Sequence, residues 1–176
     1  MFSGRAVVIA QDDVDTDVLF PGPFLSITNV AEMPQYLFEG LDPSLRDQLV
    51  GPTALVVGAN FGCGSSREHV PQAMAASGIT FLVGKSFARI FSRNCLNLGL
   101  PIVVCSEAVD AAKPGDHLQL DLGAGTLTVA GVAYEVPALP PFMRDLLDKG
   151  GLVPWVRGRI DSTTTVVELR RRWQSS

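Results

Sequence analysis

The chain has little of what would tie it to nucleic acid, a membrane or a metal. It carries 14 Lys and Arg against 18 Asp and Glu, a formal net charge of −4, so no general field draws it to polyanions. No apolar run approaches the ~20 residues of a membrane span. Cysteine is scarce. Cys63, Cys95 and Cys105 are odd in number and widely spaced, which argues against a disulfide framework and a metal knuckle. Cys95 and Cys105 read as buried small hydrophobes, and Cys63 as a loop residue. Histidine is scarcer still, and neither His69 nor His117 sits at a spacing that marks it as a base for a Cys63 nucleophile. The start, Met1-Phe2-Ser3-Gly4-Arg5, lacks a signal-peptide pattern, so a cytoplasmic location is the expectation. A hydrophobic content of 47% argues against disorder, and 176 residues suit one domain with a real core.

What the chain does have is concentrated between Gly58 and His69. The apolar run Ala54-Leu55-Val56-Val57 reads as a buried strand leading in, and a helical stretch from about Glu68 to Ala76 leads out. Between them lie Gly58, Gly62, Gly64, Ser65, Ser66 and Arg67. Glycine lets a ligand approach the main chain, and a helix start offers unpaired N–H groups and a positive dipole end. Together they form an anion site, to which Arg67 adds a fork that fits a carboxylate or phosphate. Nucleotide templates fail. No lysine lies between Gly58 and Met74 for a Walker loop, and Arg67 stands where a dinucleotide fingerprint needs its third glycine. A small carboxylate on Arg67, with Ser65 or Ser66 beside the reacting carbon, suits the residues better. The plain alternative is a glycine-rich turn with one serine as an ordinary N-cap.

The flanking chain reads as an α/β protein. Gly4–Ile9, Ala54–Val57, Thr80–Val83 and Pro101–Cys105 are apolar strand candidates. Helices are expected at Glu68–Ala76 and at Phe87–Leu98, the second capped by Ser86, ended by Gly99 and with Phe87, Ile90, Phe91, Asn94 and Leu98 on one face. Arg89 and Arg93 fall on its edge. This alternation suggests a partly parallel layer. His117–Leu122, Thr126–Val129 and Val132–Val136 then suggest an antiparallel meander with His117 on its polar face. Pro140–Lys149 reads as a helix and Leu152–Val156 as an edge strand. Residues 30–50 read as a helical cover, with short helices at Glu32–Phe38 and Pro43–Leu49, the latter capped by Asp42. Gln11–Asp17 is an acidic turn. It is no calcium hand, because Val18 and Phe24 stand where glycine and glutamate belong. Pro21–Thr28, with two prolines and a glycine, is a shaped loop.

The residues Asn60–His69, Gly84-Lys85-Ser86-Phe87-Ala88-Arg89-Ile90-Phe91 and Arg93-Asn94-Cys95-Leu96-Asn97-Leu98-Gly99-Leu100 closely resemble the small subunits of 3-isopropylmalate dehydratase, the swivelling domain of the aconitase superfamily. The resemblance runs from Gly4 to about Arg157. It implies a three-layer β/β/α fold with a mixed central sheet, in a single swivelling-type domain over residues 1–160. A tail, 161–176, lies beyond it, and its Arg170-Arg171-Arg172 run reads as solvated surface.

The resemblance also implies a hydro-lyase that interconverts 2- and 3-isopropylmalate by dehydration and rehydration. Ser65 would be the base, Ser66 and Arg67 would bind a substrate carboxylate, and Gly62 and Gly64 would shape the loop. Glu68 and His69 would brace it. Thr16 and Asp17 would help orient the site, Asp17 by pairing with Arg67. Ser26, Ile27 and Thr28 would face the substrate's side group. Two-subunit archaeal relatives often carry Tyr-Leu-Arg-Thr where this chain has Phe24-Leu25-Ser26-Ile27, so an arginine is missing here. Phe, Leu and Ile in that loop favour an apolar side group over a third carboxylate, unless they simply pack inward.

The leaving hydroxyl needs a Lewis acid, and the three cysteines do not match cluster spacings. The resemblance therefore places a [4Fe-4S] cluster on a large partner subunit and no metal on this chain. Alternatives are a related dehydratase for dimethylmalate, citramalate or homoaconitate, a non-catalytic anion-binding module, and a purely structural partner subunit.

Overall fold

The structure is a computed structural model, and residues 1–163 are described; residues 164–176, including the Arg170–Arg172 run and most of the 161–176 tail, lie outside the described residues. In chain order the elements are β1 (Phe2–Ile9), α1 (Thr16–Leu19), three 3-10 segments (Gly22–Phe24, Val30–Tyr36 and Pro43–Gln48), β2 (Thr53–Val57), α2 (His69–Ala76), β3 (Ile79–Gly84), α3 (Arg89–Asn97), β4 (Ile102–Val104), α4 (Ser106–Ala111), β5 (His117–Asp121), β6 (Thr126–Val129), β7 (Val132–Glu135), α5 (Pro141–Asp148) and α6 (Leu152–Thr163). No helix among the described residues is long and apolar enough to cross a membrane.

The strands form one curled, mixed sheet in the order β4-β3-β2-β1-β5-β6-β7. The first four strands are parallel, and β5 to β7 add as an antiparallel meander on the far side of β1. Register follows from the period of two along each strand. Val7, Leu55 and Leu82 align across β1, β2 and β3 and enter one core cluster. Their neighbours Ala6, Ala54 and Phe81 align the same way and enter the other. The first cluster lies under α2, α3 and the 3-10 cover, the second under β5–β7, α4 and α5. Both faces of the parallel strands are therefore buried, which is why these strands read as unbroken apolar runs.

The cover over the first cluster is held by burial. Leu19, Phe20, Leu37 and Phe38 are fully buried, and each such side chain contributes about 1.5–3 kcal/mol. That suffices to hold Phe38 at φ 65, a left-handed conformation costly for a bulky residue. Its N–H donates to Leu19 O at 2.7 Å, tying the cover to α1.

Several local expectations are corrected. In place of helices at Glu32–Phe38 and Pro43–Leu49 stand the 3-10 segments Val30–Tyr36, with Pro34 inside it, and Pro43–Gln48; Asp42 does cap the second, accepting from Ser44 N. The acidic turn ends in α1, capped by Asp15, which accepts from Asp17 N. α3 begins at Arg89 with Ala88 as its N-cap, because Ser86 Oγ is already engaged by Asn60 N at 2.7 Å. On α3 the buried stripe is Phe91, Asn94 and Cys95, and Ile90 turns outward with 44% exposure. Cys105 is half-buried rather than buried. α4 follows β4 directly, where no helix is expected from the sequence.

The largest correction is Leu152–Val156, which is the start of α6 and no strand. Pro154 is tolerated because its missing N–H falls in the first helical turn. Trp155 Nε1 donates to Asp145 Oδ2 at 2.6 Å, and Arg159 lies over the indole, so α6 folds back on α5 instead of extending to the sheet.

This latch titrates. The Trp155 indole N–H, and then Lys149, hold the Asp145 carboxyl below its ordinary value of 3.8. A carboxyl lowered in the folded state stabilises it above 3.8 and loses that contribution as pH falls through the lower folded value. In a Trp173→Phe chain, Trp155 fluorescence should stay constant from neutral pH down to about 4 and shift below it. Asp145→Asn should abolish that acid transition; an unchanged transition would mean that the contact does not hold α6.

Candidate active site

The parallel strands point their carboxyl ends the same way, and the segments leaving β1, β2 and β3 meet there, where open α/β sheets place ligands. The glycine loop is stitched between the other two. On one side, Gly62 N donates to Val14 O and Thr16 N to Cys63 O, both at 2.9 Å. Asp13 N donates to Ala59 O at 2.9 Å, Ala59 N to Asp12 Oδ1 at 2.6 Å, and Asn60 Nδ2 to Asp13 Oδ1 at 2.8 Å. On the other side, Phe61 N donates to Ser86 O at 3.2 Å and Ala88 N to Phe61 O at 3.0 Å. Phe61 is fully buried and meets Phe91 edge-on at 5.6 Å, which anchors the loop's base on α3.

Two glycines are required by this packing. Gly62, at φ 78, presses on the Phe91 ring, and Gly64, at φ 90, presses on the Asp15 carboxylate. A Cβ at either would overlap those atoms in a backbone conformation that L side chains avoid. Both glycines thus serve contact as much as turning.

Beyond Gly64 the loop opens. Ser65 and Arg67 are half-buried; Ser66 and Glu68 are exposed. Ser65 and Ser66 do not cap α2, because Glu68 holds the N-cap position and makes no side-chain cap bond. Instead Ser65 Oγ accepts from Arg67 N at 3.3 Å. The Ser66 carbonyl accepts from Asn94 Nδ2 at 3.0 Å. No group among the described residues accepts from the N–H of Gly64, Ser65 or Ser66. The loop therefore presents a hydroxyl already receiving one backbone donor, with free donors beside it.

Arg67 Nη1 donates to Asp17 Oδ1. The partners are 26% and 57% exposed, so the pair contributes about 0–1 kcal/mol to stability. Its effect is to aim the guanidinium along the loop. Thr16 is buried and joined to Cys63 through its N–H, so Thr16, Asp17, Gly62, Gly64, Ser65, Ser66 and Arg67 form one cluster. Cys63 lies within it but is a poor nucleophile: burial, then the charges of Asp15 and Asp13, push its thiol pKa up, so the thiol keeps its proton.

Ser26, Ile27 and Thr28 stand apart from this cluster. Phe24, Leu25 and Ile27 pack on the first core cluster, which leaves the Ser26 and Thr28 hydroxyls exposed. They share no hydrogen bond with the glycine loop among the described residues. The link is aromatic. Phe24 stacks on Tyr36 at 4.4 Å, both meet Phe20 edge-on, and Phe20 stacks on His69 at the start of α2 at 5.8 Å. Asp15, Ser86 and Asn94 also contact the loop, and none of them is a site residue expected from the sequence. Asn94 alone had a visible signal, a polar side chain on an apolar helix face, and such groups are rarely buried unbonded.

The side chains of the described residues do not fit a metal or cluster. Among the described residues no three Cys, His, Asp or Glu side chains converge on a metal position, and the three free cysteines sit in the glycine loop, in α3 and just after β4.

The chain is similar to known proteins. Residues 45–107 match the family described as the aconitase C-terminal domain. A 3-isopropylmalate dehydratase small subunit from Caldicellulosiruptor saccharolyticus is 41% identical over 162 residues, covering 91% of this chain and 93% of that protein. One from Caldanaerobacter subterraneus is 41% identical over 159 residues, covering 89% and 98%. A crystal structure of 3-isopropylmalate dehydratase from Methanocaldococcus jannaschii superposes with a TM-score of 0.82 at 35% identity, covering 90% of this chain and 94% of that one.

Gly64→Ala should lower stability by about 1–3 kcal/mol, from the strained φ and the displaced Asp15 cap together. Urea unfolding measures this. A change within about 0.5 kcal/mol, the ordinary scatter of surface substitutions, would show that the loop does not depend on the contact.

Proposed function

The chain belongs to the aconitase swivel-domain family that includes the small subunits of 3-isopropylmalate dehydratase, and we propose that, as such a subunit, it interconverts 2-isopropylmalate and 3-isopropylmalate with a large partner subunit. The observation that carries this reading is the Ser65 hydroxyl with a backbone N–H on its oxygen and Arg67 beside it.

In the proposed reaction Ser65, as its alkoxide, takes the proton from the carbon next to a substrate carboxylate. The electron pair of that C–H bond forms the alkene, and the hydroxyl departs from the neighbouring carbon. Rehydration returns the proton from Ser65 to one carbon and places the hydroxyl on the other. A serine alkoxide needs stabilisation, and each well-aimed donor on a developing oxyanion contributes roughly 10²–10³ in rate. Here the Arg67 N–H, the free N–H groups of the loop and the start of α2 are the candidates. The same charge favours the carboxylate as it takes on a second negative charge. Ser66 and Arg67 hold it, and Asp17 keeps Arg67 aimed while the site is empty. A [4Fe-4S] cluster on the large subunit would supply the Lewis acidity that a departing hydroxyl needs.

The partner enters through exposure. Ser66, Glu68 and much of Asp17 face solvent, and water on Ser65 would quench an alkoxide. A second subunit has to close the face.

A second reading rests on Ser26. The apolar residues of its loop pack inward, so hydroxyls rather than hydrocarbon stand exposed, and no arginine replaces them. Dimethylmalate or citramalate therefore remains an alternative substrate. Homoaconitate fits less well, because its third carboxylate would lack a cation.

Purified chain and large subunit should turn over isopropylmalate only when combined. Ser65→Ala should leave assembly intact and reduce kcat by roughly 10³-fold or more. Unchanged turnover by Ser65→Ala would end the base assignment, and turnover by the isolated chain would end the two-subunit reading.

A further inference from the structure

We infer that Asn94 is a positioning residue for the proton-transfer step, acting through one peptide group on the oxygen of Ser65. The inference rests on the assignment of Ser65 as the base.

The Ser66 carbonyl and the Arg67 N–H belong to the same peptide unit. The unit is planar and trans, so its oxygen and its N–H point in opposite directions. Asn94 Nδ2 donates to the oxygen at 3.0 Å, and the N–H donates to Ser65 Oγ at 3.3 Å. Fixing one end of a rigid plane fixes the other. Asn94 therefore sets where the Arg67 donor points, and a hydrogen bond at the carbonyl also polarises the N–H opposite and strengthens it as a donor.

Asn94 is built to hold still. It is 8% exposed and sits on the buried stripe of α3 between Phe91 and Cys95, which are 1% and 0% exposed. Phe91 packs against Phe61 at the base of the loop and stacks on Phe87. A buried amide is costly unless it is bonded, and an apolar side chain would suit the stripe better on packing alone. Ser65 also needs a donor that arrives preorganised, because Ser66 is exposed and its peptide would otherwise turn toward water.

A loop that Asn94 merely braced would lose substrate affinity and stability together when Asn94 is changed. A peptide plane that Asn94 aims at the base would lose rate and shift the titration of the base. The test compares Asn94→Asp, which keeps shape and removes the donor, with Asn94→Ala, both in the chain reconstituted with its large subunit. Melting temperature and assembly are followed alongside. The expected result is a fall in kcat of about tenfold, a fraction of the ~10²–10³ lost with a direct oxyanion donor, with a much smaller change in KM. The alkoxide becomes harder to form, so the acidic limb of the kcat profile should move to higher pH. In the isolated chain the Arg67 amide ¹⁵N resonance should shift on substitution. Added to Ser65→Ala, either change should have little further effect on the residual rate, because the two residues act as a unit.

A rise in KM with kcat and pH profile unchanged would overturn the inference, as would an equal loss in the Ser65→Ala background. If Asn94→Ala fails to assemble, Asn94→Asp and the Arg67 resonance decide it. Full turnover by Ser65→Ala would instead remove the base assignment, a result read independently of Asn94.

Discussion

The structure depends on the contact between the glycine loop and the turn that leaves β1. Gly62 and Cys63 exchange backbone hydrogen bonds with Val14 and Thr16, and Gly64 lies against the Asp15 carboxylate with no room for a side chain. Asp15 in turn caps α1 through the Asp17 N–H. One short region therefore sets the loop's path, the start of α1 and the place from which Asp17 reaches Arg67. The parallel register of β1 and β2 brings the two segments together, and the two glycines let them close.

From that contact the chemistry follows in order. The loop's base is anchored in hydrocarbon at Phe61, and its tip is left open with polar groups facing one way. Arg67 is aimed but only lightly held, since its pair with Asp17 is half exposed and an incoming anion could compete for the guanidinium. Rigidity at the base and availability at the tip are what a preorganised anion site requires. The open tip is the face that the proposed large subunit would cover.

Much of this was legible in the sequence. Ala54–Val57 and Thr80–Val83 announce buried parallel strands, because a strand covered on both faces has no polar side to show. The alternation of His117–Leu122 announces a half-buried one. The glycine loop was visible from composition, and the Asp17–Arg67 pair through the resemblance. What stayed hidden depends on partners distant in the chain. Leu152–Val156 looks like a strand until Trp155 finds Asp145. Ser86 looks like a helix cap until Asn60, 26 residues away, takes its hydroxyl. Phe24, Leu25 and Ile27 could face a side group or pack inward on the sequence alone, and it is the cover that packs them on the core. The role of Asn94 is written only in the distance to a carbonyl 28 residues before it.

The central claim is that residues 62–67 form a carboxylate-binding oxyanion site. Titrating the ¹⁵N-labelled chain with 2-isopropylmalate, with inorganic phosphate as the comparison, tests it directly. The account predicts saturable shifts at the amides of Gly64, Ser65 and Ser66, stronger for the dicarboxylate and lost in Arg67→Gln. Silent loop amides, or shifts that persist without the guanidinium, would contradict it.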